Sequence, residues 1–264
     1  MRPTAQVKAS RGQTSSHRLR AHFPLPAPVD GSDAECAFAI VHRGLTAEGG
    51  PHEFGLPTFV SRRFVDCSAS PDGAAGAGAP AGVALLHDGL LEYEVVDEGR
   101  ELALTLLRAT GYLSRSELSL RPNPAGPLDP LEGPQLQRRL TLDYAVLPHR
   151  GDWTAAALPA AADDFLLPLE RVRGGGWPGA TGSATGHALQ VDGAEVSALF
   201  RDETGALTLR VVNLSPDSSV VAVDREGEPV VGTLVDLAGV EQEPFTGRAP
   251  LRPWEILTLR LADA

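Results

Sequence analysis

Two arginines close an apolar stretch of the chain, GRELALTLLRATGYLSR (99–115), and are the first candidates for a ligand contact. The first half alternates as a β-strand does, with Leu102, Leu104 and Leu106 on one face. Arg108 stands where the apolar run ends, and Arg115 follows a short Gly-Tyr-Leu-Ser segment. A guanidinium carries five N–H donors in a fixed geometry, so the two arginines could point at an anionic or a polyhydroxylated ligand. The alternative is that both arginines are solvated or form structural ion pairs, the usual fate of exposed arginine.

A complete catalytic constellation is missing from the sequence. There is no Gly-x-Ser-x-Gly elbow, and the glycine-rich stretch 173–186 lacks the lysine of a phosphate-binding loop. The adjacent carboxylates Asp163 and Asp164 would point to opposite faces of a strand, so we interpret the pair as surface of a helix or loop. We therefore expect no catalytic residue in this chain.

Metal-binding patterns are equally weak. His17 and His22 flank an Arg-Leu-Arg-Ala segment, and His149 and Asp152 bracket Arg-Gly, but neither spacing is that of a compact zinc site. The two cysteines, Cys36 and Cys67, lie 31 positions apart. Surface or hydrogen-bonded histidines explain these patterns better, and we predict no metal or cofactor site in the chain.

Composition limits the partners and the compartment. The net charge of −11 over 264 residues argues against nucleic acid and anionic membrane surfaces as partners. No apolar run approaches the roughly 18 residues of a membrane-spanning helix. Two isolated cysteines in a chain of this length are typical of reduced thiols, which predicts a cytoplasmic location.

The elements that must position these residues are predominantly strands. Alternating apolar and polar residues, the period of a half-buried strand, predict strands at 36–44, 82–89, 91–96, 101–109, 138–149, 194–202, 206–215, 219–224 and 255–262. The segments 97–99, 202–205 and 224–229 have the composition of hairpin turns. One short or broken helix is predicted within 152–167, interrupted by Pro159. Many strands with short turns predict an all-β fold of the sandwich class.

The glycine-rich stretch 173–186 marks a domain boundary. We expect a large antiparallel β-sandwich over residues 16–185 and a smaller β-sandwich over 187–264, after an N-terminal segment 1–15 that matches neither.

Six segments in a fixed order carry a family resemblance that covers residues 16 to 262. They are SHRLRAHFPLP (16–26), LPTFVSRRFVD (56–66), GVALLHDGLLEYEVV (82–96), ELALTLLRATGYLSR (101–115), LDYAVLPHRGDW (142–153) and LRPWEILTLRL (251–261). Together they resemble the C-terminal β region of bacterial α-mannosidases of glycoside hydrolase family 38. The resemblance implies a galactose mutarotase-like β-supersandwich followed by a smaller sandwich.

The same resemblance implies that the chemistry lies elsewhere. Enzymes of this family use an aspartate nucleophile and a zinc ion held by His and Asp in an N-terminal catalytic barrel, and no segment here matches that barrel. The chain would thus be an accessory β portion, truncated or split from its enzyme and inactive alone. Its expected partners are the catalytic barrel and a mannose-containing carbohydrate, which Arg108 and Arg115 would contact. A stand-alone carbohydrate-binding or scaffold module and a non-functional gene remnant are the alternatives.

Overall fold

The structure, a computed structural model, describes residues 4–8, 16–68, 81–116, 118, 121, 123–135, 139–171 and 186–262. Trp177, Glu117 and most of the glycine-rich stretches 70–82 and 173–186 lie outside the described residues. The chain divides into two compact units, one of residues 1–37 and 41–169 and one of residues 38–40 and 170–264. The domain limits 16–185 and 187–264 stay predictions.

The first unit is built from two antiparallel sheets. A six-stranded sheet has the order β1-β10-β7-β6-β3-β4, and a four-stranded sheet has the order β2-β9-β8-β5. The strands are β1 (Thr4–Lys8), β2 (His17–Pro24), β3 (Gly31–Cys36), β4 (Ala39–Gly44), β5 (Phe59–Val60), β6 (Phe64–Ser68), β7 (Ala81–His87), β8 (Glu92–Val96), β9 (Glu101–Ala109) and β10 (Arg139–Arg150).

One apolar core joins these two sheets. Val65 and Leu85 of the six-stranded sheet and Leu102 and Leu104 of the four-stranded sheet are fully buried in a common cluster. Tyr93 lies in the same cluster, where its hydroxyl and the Ser32 hydroxyl share a hydrogen bond of 3.0 Å. Each large apolar side chain buried here contributes about 1.5–3 kcal/mol to the free energy of folding. Two sheets facing one core are a sandwich, as the strand periodicity predicted.

The second unit has its own pair of antiparallel sheets. A five-stranded sheet has the order β12-β13-β19-β16-β17, and a smaller sheet combines β11, β14, β15 and β18. The strands are β11 (Gln190–Asp192), β12 (Glu195–Arg201), β13 (Leu207–Val212), β14 (Ser219–Arg225), β15 (Glu228–Pro229), β16 (Val231–Val235), β17 (Glu241–Thr246), β18 (Arg248–Leu251) and β19 (Ile256–Leu261).

Residues from both of these sheets also share a core. Val211 and Leu259 come from the five-stranded sheet, and Val221, Val223 and Leu251 come from the smaller one. The all-β sandwich prediction is therefore confirmed for both units.

The predicted hairpin turns are present, but one predicted strand is wrong. Residues 226–227 connect the paired residues Arg225 and Glu228 as a two-residue loop, and both have positive φ, which the glycine at 227 favours. The run 36–44, expected as one strand, is instead interrupted by a turn at Ala37 and Phe38. Its apolar residues continued through the turn, so periodicity alone did not reveal the reversal.

The one described α-helix, α1 (Leu158–Leu166), corrects the expected role of Pro159. Pro159 lies in the first turn, where its missing N–H costs nothing, and so it begins the helix rather than interrupting it. Leu158 and Ala162 are fully buried, and the helix contacts β6 and β7 of the six-stranded sheet. No described helix has the length and apolar character needed to span a membrane.

An ion-pair network fixes this helix to the sheet and corrects the interpretation of Asp163 as plain surface. Arg63 donates from Nε to both carboxylate oxygens of Glu35, at 2.9 and 2.8 Å, and from Nη1 to Asp163 on α1. Arg62 adds a second contact to Glu35, at 3.1 Å. The Glu35 side chain is 1% exposed, so its charge depends on these partners for stabilisation. Asp164 is exposed, as expected.

Replacement of Arg63 by methionine is expected to lower the free energy of unfolding by about 3–5 kcal/mol, because it leaves a buried carboxylate without its main partner. The matched control is Arg62→Met, since Arg62 pairs with the same Glu35 but its side chain is 55% exposed. An exposed pair contributes about 0–1 kcal/mol. Urea denaturation of both variants measures the difference, and equal losses would contradict a dominant role for Arg63.

Candidate functional site

Five charged side chains form a ladder on the face of the four-stranded sheet that points away from the core. We call them the charge ladder: Arg18, Arg20, Glu92, Glu94 and Arg108. Alternation places Arg18 and Arg20 of β2 and Glu92 and Glu94 of β8 on this face. An extra residue in β9, between the partners of Leu19 and Arg20, shifts the alternation and brings Arg108 to the same face. The ladder has three positive and two negative charges, so it keeps one positive charge in excess.

Arg108 is held within the ladder by one carboxylate. Its Nη1 donates to Glu92 Oε2 at 2.5 Å, and the Thr105 hydroxyl donates to Glu92 Oε1 at 2.7 Å. Partial burial raises the pKa of Glu92, but the hydrogen bonds from Thr105 and Arg108 outweigh it and bring the pKa below its usual value. The carboxylate therefore stays ionised and orients the guanidinium.

The same arginine keeps donors available for a ligand. The Arg108 side chain is 56% exposed, and its Nη2 makes no hydrogen bond to any residue that the structure describes. The ion-pair interpretation of Arg108 and its proposed contact with sugar hydroxyls are thus compatible, because one half of the guanidinium serves each.

Arg115 is placed differently from Arg108. Its guanidinium lies over the ring of Tyr112, 4.9 Å from the ring centroid, and it makes none of the ladder's ion pairs. Glu117, the sequence-based candidate for its partner, lies outside the described residues. The structure thus places Arg108 among the charge ladder and Arg115 in the following loop against an aromatic ring.

A second polar cluster lies on the outer face of the six-stranded sheet. Asp33 and Asp66 are directly opposite each other on β3 and β6. His42 Nδ1 lies 3.0 Å from Asp33, and His149 Nε2 lies 2.8 Å from Asp66. Each histidine ring packs against a glycine, His42 on Gly31 and His149 on Gly82, and the contact is closer at Gly82. A Cβ at this position would lie 2.5 Å from His149 Cε1.

Burial decides what this pair of carboxylates can do. Burial raises the pKa of Asp33 despite its hydrogen bond with His42, and a raised carboxyl pKa is what a glycosidase acid needs. However, the Asp66 side chain is fully buried and accepts hydrogen bonds from Ser68, at 2.7 Å, and from His149. A substrate cannot reach Asp66, so we interpret this cluster as structural support for the sheet.

Sequence reasoning missed most of the charge ladder. Arg18 and Arg20 alternate on β2, and Glu92 and Glu94 alternate on β8, and this period-two repeat of opposite charges was the available signal. For metals, the described residues contain no group of three or more His, Cys, Asp or Glu side chains placed to hold an ion. His22 of the weak sequence pattern pairs with Glu101 at 3.0 Å.

Two solved structures share this fold. One is a protein in glycosyl hydrolase family 38 from Enterococcus faecalis, and the other is an alpha-mannosidase from Enterococcus faecalis V583. Each is 22% identical in sequence and has a TM-score of 0.70 over 98% of this chain. The likeness confirms, at the level of the fold, the resemblance derived from the six ordered segments.

The matched region is only part of those structures. This chain spans 28% of the first and 27% of the second. No protein-family model and no curated protein matches the sequence.

Two histidines of the six-stranded sheet, His87 and His149, should make opposite contributions to the pH dependence of the free energy of unfolding. His87, fully buried with Nε2 2.6 Å from the Ser61 hydroxyl, has its pKa lowered to about 4 by burial. The contribution of neutral His87 to the free energy of unfolding is full above the ordinary pKa of 6.5, and it is lost as pH falls toward 4. The hydrogen bond with Asp66 raises the pKa of His149, so its contribution is full below 6.5 and is lost as pH rises through the raised pKa.

Urea denaturation between pH 5 and 8 tests both pH dependences. Where one group titrates, the free energy of unfolding changes by about 1.4 kcal/mol per pH unit. The destabilisation caused by His87→Gln should shrink as pH falls, whereas that caused by His149→Gln should shrink as pH rises. The control is His52→Gln, at an exposed position, with an expected change within about 0.5 kcal/mol. Stability curves of the two variants that run parallel to the parent curve would contradict the assignment.

Proposed function

We propose that this chain is the accessory β portion of an α-mannosidase-type glycoside hydrolase that acts on mannose-containing carbohydrate. The observation that carries the proposal is the fold likeness, which covers 98% of this chain and about 28% of the glycosyl hydrolase family 38 structure. In this proposal the chain completes the substrate cleft of a catalytic region and stabilises that region. Two free cysteines, Cys36 and Cys67, support a cytoplasmic location as part of the same proposal.

The described residues support catalysis by a separate region. Retaining glycosidases need an accessible nucleophilic carboxylate about 5.5 Å from an acid/base carboxyl group. Asp33 and Asp66 lie opposite each other on neighbouring strands, but Asp66 is buried and already hydrogen-bonded. We infer that the nucleophile and the zinc ion belong to the catalytic region, and no catalytic step is assigned to this chain.

Exposed apolar side chains in the first unit offer a surface for that region. The docking surface consists of Phe54, Leu56, Tyr112, Leu113 and Leu128, each of which is more than 40% exposed. The two loops that carry them are joined by an ion pair between Arg121 and Glu53. Clusters of exposed large apolar side chains mark protein interfaces, so we propose that the catalytic barrel covers this surface.

The isolated chain is expected to show no α-mannosidase activity on an aryl α-mannoside, with or without added zinc. Co-expression with a catalytic barrel encoded in the adjacent DNA should yield activity that requires both parts. A colorimetric assay of the purified chain and of the co-purified complex measures both results. Steady turnover by the pure chain, or absence of complex formation with such a barrel, would contradict the proposal.

In the complex, Arg108→Ala should lower kcat/KM by about tenfold to a hundredfold, because charge-assisted hydrogen bonds to a substrate contribute about 1.5–3 kcal/mol. The free energy of unfolding should change by at most about 1 kcal/mol, the value of an exposed ion pair. The comparison variant is Arg115→Ala, which removes the same charge from a side chain that stacks on Tyr112. Small and equal kinetic effects of both substitutions would remove Arg108 from the substrate site.

A further inference from the structure

The second unit carries a groove of about 490 Å³ on the outer face of its five-stranded sheet. Its volume lies within the range of about 300–1,000 Å³ that is usual for small-molecule sites. Residues of two hairpin loops, 202–204 and 236–239, form its walls. All of the lining residues belong to the second unit.

Strand alternation produces the polar floor of this groove. Leu209 and Leu259 point into the core, so their neighbours point outward into the groove. The register pairs Thr208 with Arg260 and Arg210 with Thr258, and this places two hydroxyls and two guanidinium groups side by side. Thr208 is 2% and Thr258 is 3% exposed, so the hydroxyls lie at the bottom of the groove.

Arg260 is fixed by its own contacts. It donates to Asp202 at 2.7 Å, to Glu241 at 3.1 Å and to the Gly239 carbonyl at 3.2 Å. These three bonds tie both walls of the groove to its floor. The loops are therefore held in place in the absence of any ligand, as expected of a largely pre-formed site.

Arg210, by contrast, keeps donors free. Its Nε donates to the Thr258 hydroxyl at 3.1 Å, and its guanidinium lies over the Phe200 ring, 5.7 Å from the centroid. Neither Nη atom has a hydrogen-bond or ion-pair partner among the described residues. A guanidinium oriented by one hydroxyl and one ring, with two amino groups unused, is positioned to donate to a ligand.

The charge of the lining selects the class of ligand. Three arginines (201, 210 and 260) are balanced by three carboxylates (202, 203 and 236), so the groove is neutral overall. A phosphate or carboxylate ligand would meet repulsion from the acidic side chains as well as attraction. Phe200, 38% exposed, adds an aromatic surface of the kind that packs on the partly apolar face of a pyranose.

We propose that this groove binds a neutral saccharide, with Phe200 against a sugar face and the Arg210 amino groups on its hydroxyls. Asp236, whose Oδ1 accepts from the backbone of Ala238 and Val240, provides an acceptor through its other oxygen. This site goes beyond the proposed function, because it requires neither a catalytic barrel nor the charge ladder of the first unit. Failure of sugar binding here and failure of complementation by a barrel are therefore separate results.

Isothermal titration calorimetry of the whole chain with α-mannobiose and maltotriose as neutral probes tests the proposal. Phe200→Ala and Arg210→Gln are each expected to raise Kd by about tenfold, the effect of losing a central contact. Inorganic phosphate and glucuronate, the anionic probes, should bind more weakly than the neutral saccharides. Circular dichroism and urea denaturation confirm that both variants remain folded.

Matched controls distinguish the groove from the rest of the surface. Arg248→Ala removes an exposed arginine from the other sheet of the same unit. Because Tyr112 belongs to the docking surface, the aromatic control is Phe38→Ala, since Phe38 is 39% exposed and does not line the groove. Neither Arg248→Ala nor Phe38→Ala should change Kd. Absence of binding of both neutral probes at about 20 mM, binding of the anions alone, or unchanged affinity in both groove variants would each overturn the proposal.

Discussion

A single buried carboxylate, Glu35, is the interaction on which the outer face of the six-stranded sheet depends. Its charge is tolerated because Arg63 donates from Nε to both of its oxygens and from Nη1 to Asp163 of α1. This network connects β3, the segment before β6 and the helix. The end of β10, the strand that precedes α1, has a contact of its own to the sheet, the pair between His149 and Asp66.

Exposure, rather than residue type, separates the two charged clusters of the first unit. Asp66 and its histidine partner resemble a catalytic arrangement in composition, but no solvent reaches the carboxylate. Glu92 and Arg108 form an ion pair of a common kind, but the arginine is half exposed and has N–H donors without a partner among the described residues. A ligand can therefore approach the second pair and not the first, which makes the charge ladder the better candidate for sugar recognition.

Both units use the outer face of a sheet in a similar way. In the first unit Arg108 and Thr105 both donate to Glu92, and in the second Arg210 donates to Thr258, so one contact orients each guanidinium. Antiparallel pairing of alternating strands produces such faces readily, because every residue beside a core position points outward. The charge balance differs, since the ladder keeps an excess positive charge and the groove of the second unit is neutral.

The sequence alone determined the all-β class and four of the nine described strands of the second unit, β12, β13, β14 and β19, because apolar alternation is regular in these four. It did not reveal β3, whose inward side chains, such as Ser32 and Ala34, are too small to show apolar periodicity. Nor could it reveal that Arg108 pairs with Glu92, because that contact depends on the register of β8 on β9. Tertiary structure decided which polar side chains are buried and which are accessible, since burial is set by the packing of elements distant in sequence.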